Sequence, residues 1–352
     1  MAKPQLLYGA YDTGPSHYGL DVISYAQRKL NWSIKYVGNT PTYADVYGLL
    51  FDYAIVGGPS SFAHDLDAMI LTAAKIKKKP VYVLGDTPRS ILRPDIQKYI
   101  DHATAIVAVP FDIPLAKKFG YHDAVWLGYP SHWGNPATTK PSKIFTHGEY
   151  AKERRSARIF VCGLKDAKIT DTMLQCVRDA MTQHKARYYI YFQAHPSEIP
   201  ETQDAVRRKE LLRDPIIEIT TRESVPSIMM AADITVCTGG AIAVLEGALL
   251  RLPVIYYLDS MVMEHMKKQV NEEIWGPVSA GACIKAFPDM MSFELSRLLN
   301  KDVIGMSARE HLRFTQDAAF PEQPSGMDTI AEILAYVHDP VGYIPFHERK
   351  KQ

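Results

Sequence analysis

The stretch from Ala231 to Asp259, AADITVCTGGAIAVLEGALLRLPVIYYLD, limits the folds open to this chain more than any other. Ile234 to Cys237 is a short, β-branched apolar run and reads as a buried strand. Thr238-Gly239-Gly240 breaks that run, and good helix formers follow from Ala241 to Leu250. Arg251-Leu252-Pro253 stops the helix, and Val254 to Leu258 reads as a second buried strand. The result is a β–turn–α–β unit with two glycines at its first turn. Backbone amides at such a turn point outward at a helix N-terminus, so a phosphate can sit there. Glu246 lies six residues into the helix, within reach of a ligand over its first turns, where a carboxylate can accept both hydroxyls of a ribose. The plainer reading makes Gly239-Gly240 a tight turn only and Glu246 a solvated helix residue. The residues alone leave both open.

The rest of the chain repeats the alternation. Strands are expected at Gln5 to Ala10, Ser33 to Val37, Asp52 to Val56, Val81 to Leu84, Ala105 to Val109 and Ala124 to Leu127. Tyr11 to Tyr18, YDTGPSHY, reads as a loop of turn formers, with helices at Gly19 to Leu30 and Leu66 to Lys78. A second series runs from Arg158 through strands at Arg158 to Cys162, Tyr188 to Gln193 and Ile216 to Ile219, with helices at Asp171 to His184 and Val225 to Ala232. Later helices are expected at Met290 to Asn300, Ser307 to Thr315 and Met327 to Val337. Strands alternating with helices imply parallel sheet with right-handed crossovers, hence an α/β chain of two doubly wound domains facing a central cleft. The expected division is residues 1–150, 151–325 and a C-terminal helix in 326–352, with Gly128 to Arg158 as a polar linker. Ligands to such sheets bind at the carboxyl ends of the strands, and the polar loops fall there.

Composition excludes several classes. Of 352 residues, 47% are hydrophobic and 22% charged, as in a globular protein. Forty basic against thirty-nine acidic residues leave a net charge of +1, which does not announce a nucleic-acid binder. No apolar run reaches the roughly eighteen residues of a membrane span, and the N-terminus lacks the apolar core of a signal peptide. Cys162, Cys176, Cys237 and Cys283 are widely spaced with no CxxC pair, which speaks against zinc and a disulfide framework and for a reducing, cytoplasmic setting.

Two doubly wound domains with a Gly-Gly/Glu unit late in the second resemble the GT-B glycosyltransferases, and ADITVCTGGAIAVLEGALLRLPVI is similar to that family's donor-binding signature. The resemblance implies a nucleotide-sugar donor, UDP-linked, held by the second domain, with the acceptor site and the base in the first. Gly239 and Gly240, after Thr238, would face the phosphates, and Glu246 the ribose. Ala194-His195-Pro196 is similar to a turn of the CDP-glycerol transferases and UDP-sugar epimerases. Phe51 to Pro94 resembles the matching stretch of the T-even phage DNA β-glucosyltransferases, which implies UDP-glucose or another UDP-sugar as donor. It also implies a hydroxymethylated pyrimidine in double-stranded DNA as acceptor, a host-cytoplasm setting, and Asp86 as base of an inverting transfer. The chain departs from those phage enzymes at Ala243-Val244-Leu245, where they carry an arginine, and at Gly163-Leu164-Lys165, which offers one lysine.

Further site residues follow from the same resemblance. His17 and Asp12 sit in the first loop, His17 as a base or phosphate contact and Asp12 as a reserve base. Lys165 would neutralise diphosphate charge in place of a tightly held metal; a divalent ion is compatible with the sequence but not required. His195 would meet the diphosphate or the base, Arg222 the nucleobase region and Asp259 the sugar hydroxyls. Each has a plainer alternative: a turn aspartate at Asp86, a solvated loop residue at His17 or Lys165, a helix cap at His195 or Ser224. Lys75, Lys77, Lys78 and Lys79, with Lys152, Arg154, Arg155 and Arg158, read as solvated faces unless the acceptor is DNA. Arg89 and Arg93 would then join them, and Tyr99, Trp126, Tyr129 and Trp133 would supply the pocket for a flipped base. Within enzymes, the rivals are transfer to a cell-surface polymer or small molecule and UDP-sugar epimerisation. A nucleotide-binding module without turnover is the rival outside them.

Overall fold

A computed structural model describes residues 3–10, 13–37, 43–57, 65–130, 133, 138–146, 156–182, 188–196, 198, 205–213, 215–220, 223–322, 324 and 326–349. The chain divides into two compact units, residues 1–133 with 322–352, and residues 134–321. In chain order the elements up to residue 133 are β1 (Gln5–Gly9), α1 (Thr13–Lys29), β2 (Ser33–Val37), α2 (Tyr43–Tyr47), β3 (Tyr53–Gly57), α3 (Asp65–Lys77), β4 (Val81–Leu84), β5 (Thr104–Ile106), α4 (Ile113–Phe119) and β6 (Asp123–Val125). The second unit carries β7 (Ala157–Cys162), α5 (Ala167–Thr182), β8 (Tyr188–Gln193), α6 (Ala205–Leu211), β9 (Ile216–Glu218), α7 (Val225–Ala231), β10 (Ile234–Cys237) and α8 (Ala243–Leu249). It continues with β11 (Val254–Tyr257), α9 (Ser260–Val270), α10 (Gly276–Ser279), β12 (Ile284–Ala286), α11 (Met291–Leu299) and α12 (Val303–Ala319). The chain then closes on α13 (Met327–His338) and α14 (Phe346–Arg349).

Each unit holds one six-stranded sheet. The orders are β2-β1-β3-β4-β5-β6 and β12-β11-β10-β7-β8-β9. Every pairing is parallel. Because the side-chain period of a strand is two, neighbouring residues serve opposite faces. In the first unit Leu7, Ala54, Val56, Val81 and Val83 enter one core with Ile70 and Ala73 of α3. Leu6, Tyr8, Ile55, Tyr82 and Leu84 enter the other with Val22 and Ala26 of α1. That second core also contains Ile330, Ile333, Leu334 and Val337, so α13 covers the first sheet beside α1. Cover on both faces is why β4, β10 and β11 are buried at every position and do not alternate. β2, at the sheet edge, is half exposed and reads as mixed.

Several boundaries differ from the sequence expectation for physical reasons. Thr13 to Tyr18 is not loop: α1 starts at Thr13, because Pro15 lies in its first turn, where a missing N–H costs nothing. α12 runs to Ala319 and starts at Val303, where the Asp302 carboxylate accepts from the Gly305 amide at 3.0 Å. α8 is shorter than its composition suggests, since the Ala241 amide is held by the Thr238 carbonyl in a turn. α9 and β12 were not expected. Asp259 caps the start of α9, and Asn271 in the left-handed region ends it.

Candidate functional site

In the second sheet β7 lies between β10 and β8, so strand order reverses at β7/β10. Ligands to open parallel sheets bind outside the carboxyl ends at such a point. Three loops meet there. After β10, the fully buried Thr238 hydroxyl donates to the Tyr257 carbonyl at 2.6 Å and ties the ends of β10 and β11 together. Gly239 follows with φ of 59°, the left-handed region that favours glycine. A Cβ there would lie 2.8 Å from the Leu164 side chain, so the turn also packs against the loop after β7. Gly240 is exposed, with nothing within 4 Å of where its Cβ would stand.

After β7, the Gly163 amide donates to the Gln193 carbonyl at 2.9 Å. A Cβ on Gly163 would come within 3.0 Å of that oxygen and 3.2 Å of the His195 nitrogen. Glycine here permits the close approach of the loop that carries Lys165 to the one that carries His195. Lys165 is exposed and makes no ion pair among the described residues. His195 is half buried, and its pKa is lowered, first by burial and then by Lys165, against an opposing pull from Glu198. Glu246 is 4% exposed, which excludes the solvated-helix alternative. It stands close enough to Cys162 at the end of β7 to add to the burial that pushes that thiol up to about 12.

The two helix starts at this point differ. Asp166 accepts from the Lys168 and Ile169 amides at 2.9 and 3.2 Å, so α5 is capped by its own carboxylate. Ile242, at the cap position of α8, makes no side-chain capping bond. The start of α5 is thus already filled by a carboxylate, while the cap residue of α8 places no side chain on its first amides.

Other expected residues fall elsewhere. Both Asp259 oxygens are engaged inside the protein, accepting from the Val262 amide at 2.8 Å and the Tyr257 hydroxyl at 2.6 Å. Asp259 thus serves as the cap of α9. Ser224 stands before α7, but its hydroxyl donates to Ser227 Oγ at 2.8 Å and caps no amide. Asp12 and Arg222 lie outside the described residues; His17 falls within α1, its side chain outside them.

In the first unit Asp86 follows β4 and is 3% exposed. The Thr87 hydroxyl donates to its Oδ1 at 3.4 Å, and the Trp133 indole N–H donates to its carbonyl at 3.2 Å. Tyr8 and Tyr18 are buried nearby. Burial raises both phenols, and the Asp86 charge adds to each. The basic residues that follow are not free for phosphates. Arg89 pairs with Asp112, and Arg93 with Asp67 and Asp95. Burial pushes Asp67 up to about 6 against the pull of Arg93. Lys75 pairs with Asp101 at 2.6 Å, Lys79 with Asp52 at 3.3 Å and Arg158 with Asp233 at 3.5 Å. Lys152, Arg154 and Arg155 lie outside the described residues. Trp126, Tyr129 and Trp133 form a chain of rings at 5.2 and 6.1 Å, with Tyr129 and Trp133 buried as core. Buried to this degree, the Tyr129 and Trp133 rings have no exposed face on which a flipped base could stack.

One group went unread in the sequence. Arg208 of α6 is buried, bonded to Asp171 of α5 and to Glu198 just past His195. Its helix reads as polar, and nothing local announces a pairing across 37 residues. Among the described residues no three His, Cys, Asp or Glu gather as a metal site. All four cysteines are free, and no helix among the described residues is long and apolar enough to cross a membrane.

No protein-family model matches the chain, and no curated protein does. Solved structures do. A UDP-N-acetylglucosamine 2-epimerase aligns with a TM-score of 0.60 at 12% identity, covering 98% of this chain and 99% of that one. MurG of Acinetobacter baumannii aligns at 0.58 and 14%, covering 94% and 99%. CalG4, the calicheamicin glycosyltransferase, aligns at 0.55 and 11%, covering 97% and 100%. At such identities the likeness establishes the fold alone: two Rossmann-like units with parallel six-stranded sheets, the GT-B fold.

Proposed function

We propose that the second unit holds the diphosphate of a nucleotide sugar, UDP-linked, and that the protein is a UDP-sugar-dependent glycosyltransferase acting on a hydroxyl acceptor. One observation carries this reading. The open Gly239-Gly240 turn, exposed Lys165 and half-buried His195 converge at the β7/β10 switch point, with Glu246 buried behind them. When the sugar–phosphate bond breaks, its electron pair leaves with the diphosphate, and the added negative charge needs cations and N–H donors in place. Lys165, His195 and the turn amides supply them. Glu246 is assigned to the ribose, since a buried carboxylate gains from two hydroxyl donors.

Asp86 is assigned as the base that takes the acceptor proton in an inverting transfer, with Asp12 in reserve. The committed state of Arg89 and Arg93 speaks against broad phosphate contact near Asp86. A DNA acceptor is therefore one arm of the test and not its premise.

The test is a panel of UDP-sugars followed by UDP release and by NMR of the sugar. Its arms are hydroxymethylated DNA, ordinary DNA, small hydroxyl acceptors and no acceptor. Acceptor-dependent UDP release, abolished by Asp86→Asn while UDP still binds, is the expected result. An isomerised sugar without acceptor would reassign the site to epimerisation. Failure to bind UDP at all would sink the reading.

A further inference from the structure

The turn carrying His195 is held by more than its own backbone. The Glu198 amide donates to the His195 carbonyl at 3.0 Å and closes it. The Glu198 carboxylate accepts from Arg208 Nη2 at 2.8 Å, and Arg208 Nε donates to Asp171. The Arg208 guanidinium also lies 5.0 Å from the centroid of Phe192, a buried ring of β8. One planar cation thus joins four pieces: its own helix α6, strand β8, the His195 turn and helix α5. α5 begins two residues after Lys165. Only a forked, always charged side chain makes these contacts together. Burying a charged triad is costly, and removing one member leaves an uncompensated buried charge.

We propose that Arg208 is a positioning residue: through Glu198, Asp171 and Phe192 it fixes the turn after β8 and so holds the His195 imidazole beside Lys165. The proposal rests on the donor-site reading for its purpose but not for its geometry. Held this way, the two groups present a preset pair to one diphosphate, and the order of the turn is established before the ligand arrives. Among the described residues, the charged groups acting on His195 include Lys165 from the β7–α5 loop and Glu198 from its own turn.

The test uses the full chain with NMR titration of the His195 ring, assigned by His195→Gln, and UDP affinity by calorimetry. Arg208→Met alone would strand Asp171, so the main variant is Asp171→Asn with Arg208→Met. It removes the buried pair together and leaves Glu198 to turn to water. In that variant His195 is expected to titrate closer to ordinary histidine, because a loosened turn lets the ring out of its half-buried place, the first cause of its lowering, and away from Lys165, the second. UDP affinity is expected to fall about tenfold, as when an outer-shell partner is removed. Arg208→Lys, which keeps the charge and loses the fork, should lie between the two. An unchanged His195 titration in a folded double variant overturns the proposal. Should the double variant not fold, Arg208→Lys decides by the same two readings, and no shift there overturns it. If wild type binds no UDP, the donor-site reading fails, yet the titration still answers whether Arg208 positions His195.

Discussion

The two sheets are built alike, six parallel strands each, but the charges at their carboxyl ends are used differently. After β4, Arg89 and Arg93 are bound to the buried Asp112 and Asp67, and Arg93 reaches the exposed Asp95 as well. After β7 and β8, Lys165 is exposed and His195 half buried beside it, while Arg208 takes the buried role. A charge committed to a buried partner holds a loop in shape. A charge left toward water is available to a ligand. An arginine or lysine following a strand looks the same in sequence in both cases; the partner decides, and it comes from a distant element.

The largest effect that tests this contrast is Arg93→Ala. It leaves Asp67, 1% exposed, without its main counter-charge. Removing one member of a buried pair costs about 3–5 kcal/mol, so urea unfolding should show a loss of that size. Lys165→Met, at an exposed position, should leave stability within about 0.5 kcal/mol and weaken UDP binding instead. If the losses came out reversed, the division between structural and ligand charges would be wrong. Asp67 adds a pH signature. Its pKa of about 6 lies above the ordinary 3.8, so between those values the folded protein binds more proton than the unfolded chain. Stability from this group is complete below the ordinary value and is lost as pH rises through 6. Asp67→Asn should flatten the slope in that window of a thermal-shift profile.

Next in size is Gly239→Ala. The left-handed backbone costs a side chain about 1–2 kcal/mol, and the added methyl would meet Leu164 at 2.8 Å. Both stability and, on the proposed donor site, UDP affinity should fall, since the turn also holds the loop after β7. Equal stability to wild type would mean that the turn relaxes and that Gly239 is not required for its shape.

Much of this architecture is legible in the chain because the sheets are parallel and buried. Strands such as Ile234–Cys237 and Val254–Tyr257 announce themselves as apolar runs, and Gly239-Gly240 marks the turn between strand and helix. Pro15 misled in α1 because a proline in a first turn and a proline in a loop look identical without the helix that follows. β12 was missed because three residues, one of them Lys285, carry too little pattern. The loops after β7, β8 and β10, which carry Gly163, Lys165, His195, Gly239 and Gly240, follow neighbouring strands because the sheet order sets β10, β7 and β8 side by side. What stayed hidden was who pairs with whom. Arg93 with Asp67 and Arg208 with Asp171 are fixed by packing, not by spacing.

The smallest expected change in stability sharpens the comparison most. Gly240→Ala adds a methyl where nothing lies within 4 Å, on an exposed residue with no positive φ. Stability should therefore stay within about 0.5 kcal/mol of wild type. If the diphosphate sits against this turn, the methyl occupies the space the phosphate oxygens need, and UDP affinity should drop while Gly240→Ala unfolds like the parent. Stability and binding then separate at adjacent residues, Gly239 affecting both and Gly240 only the ligand. Unchanged UDP affinity in Gly240→Ala would instead place the anion over Lys165 and His195 alone, away from the start of α8, and would move the phosphate seat from the turn after β10 to the loops after β7 and β8.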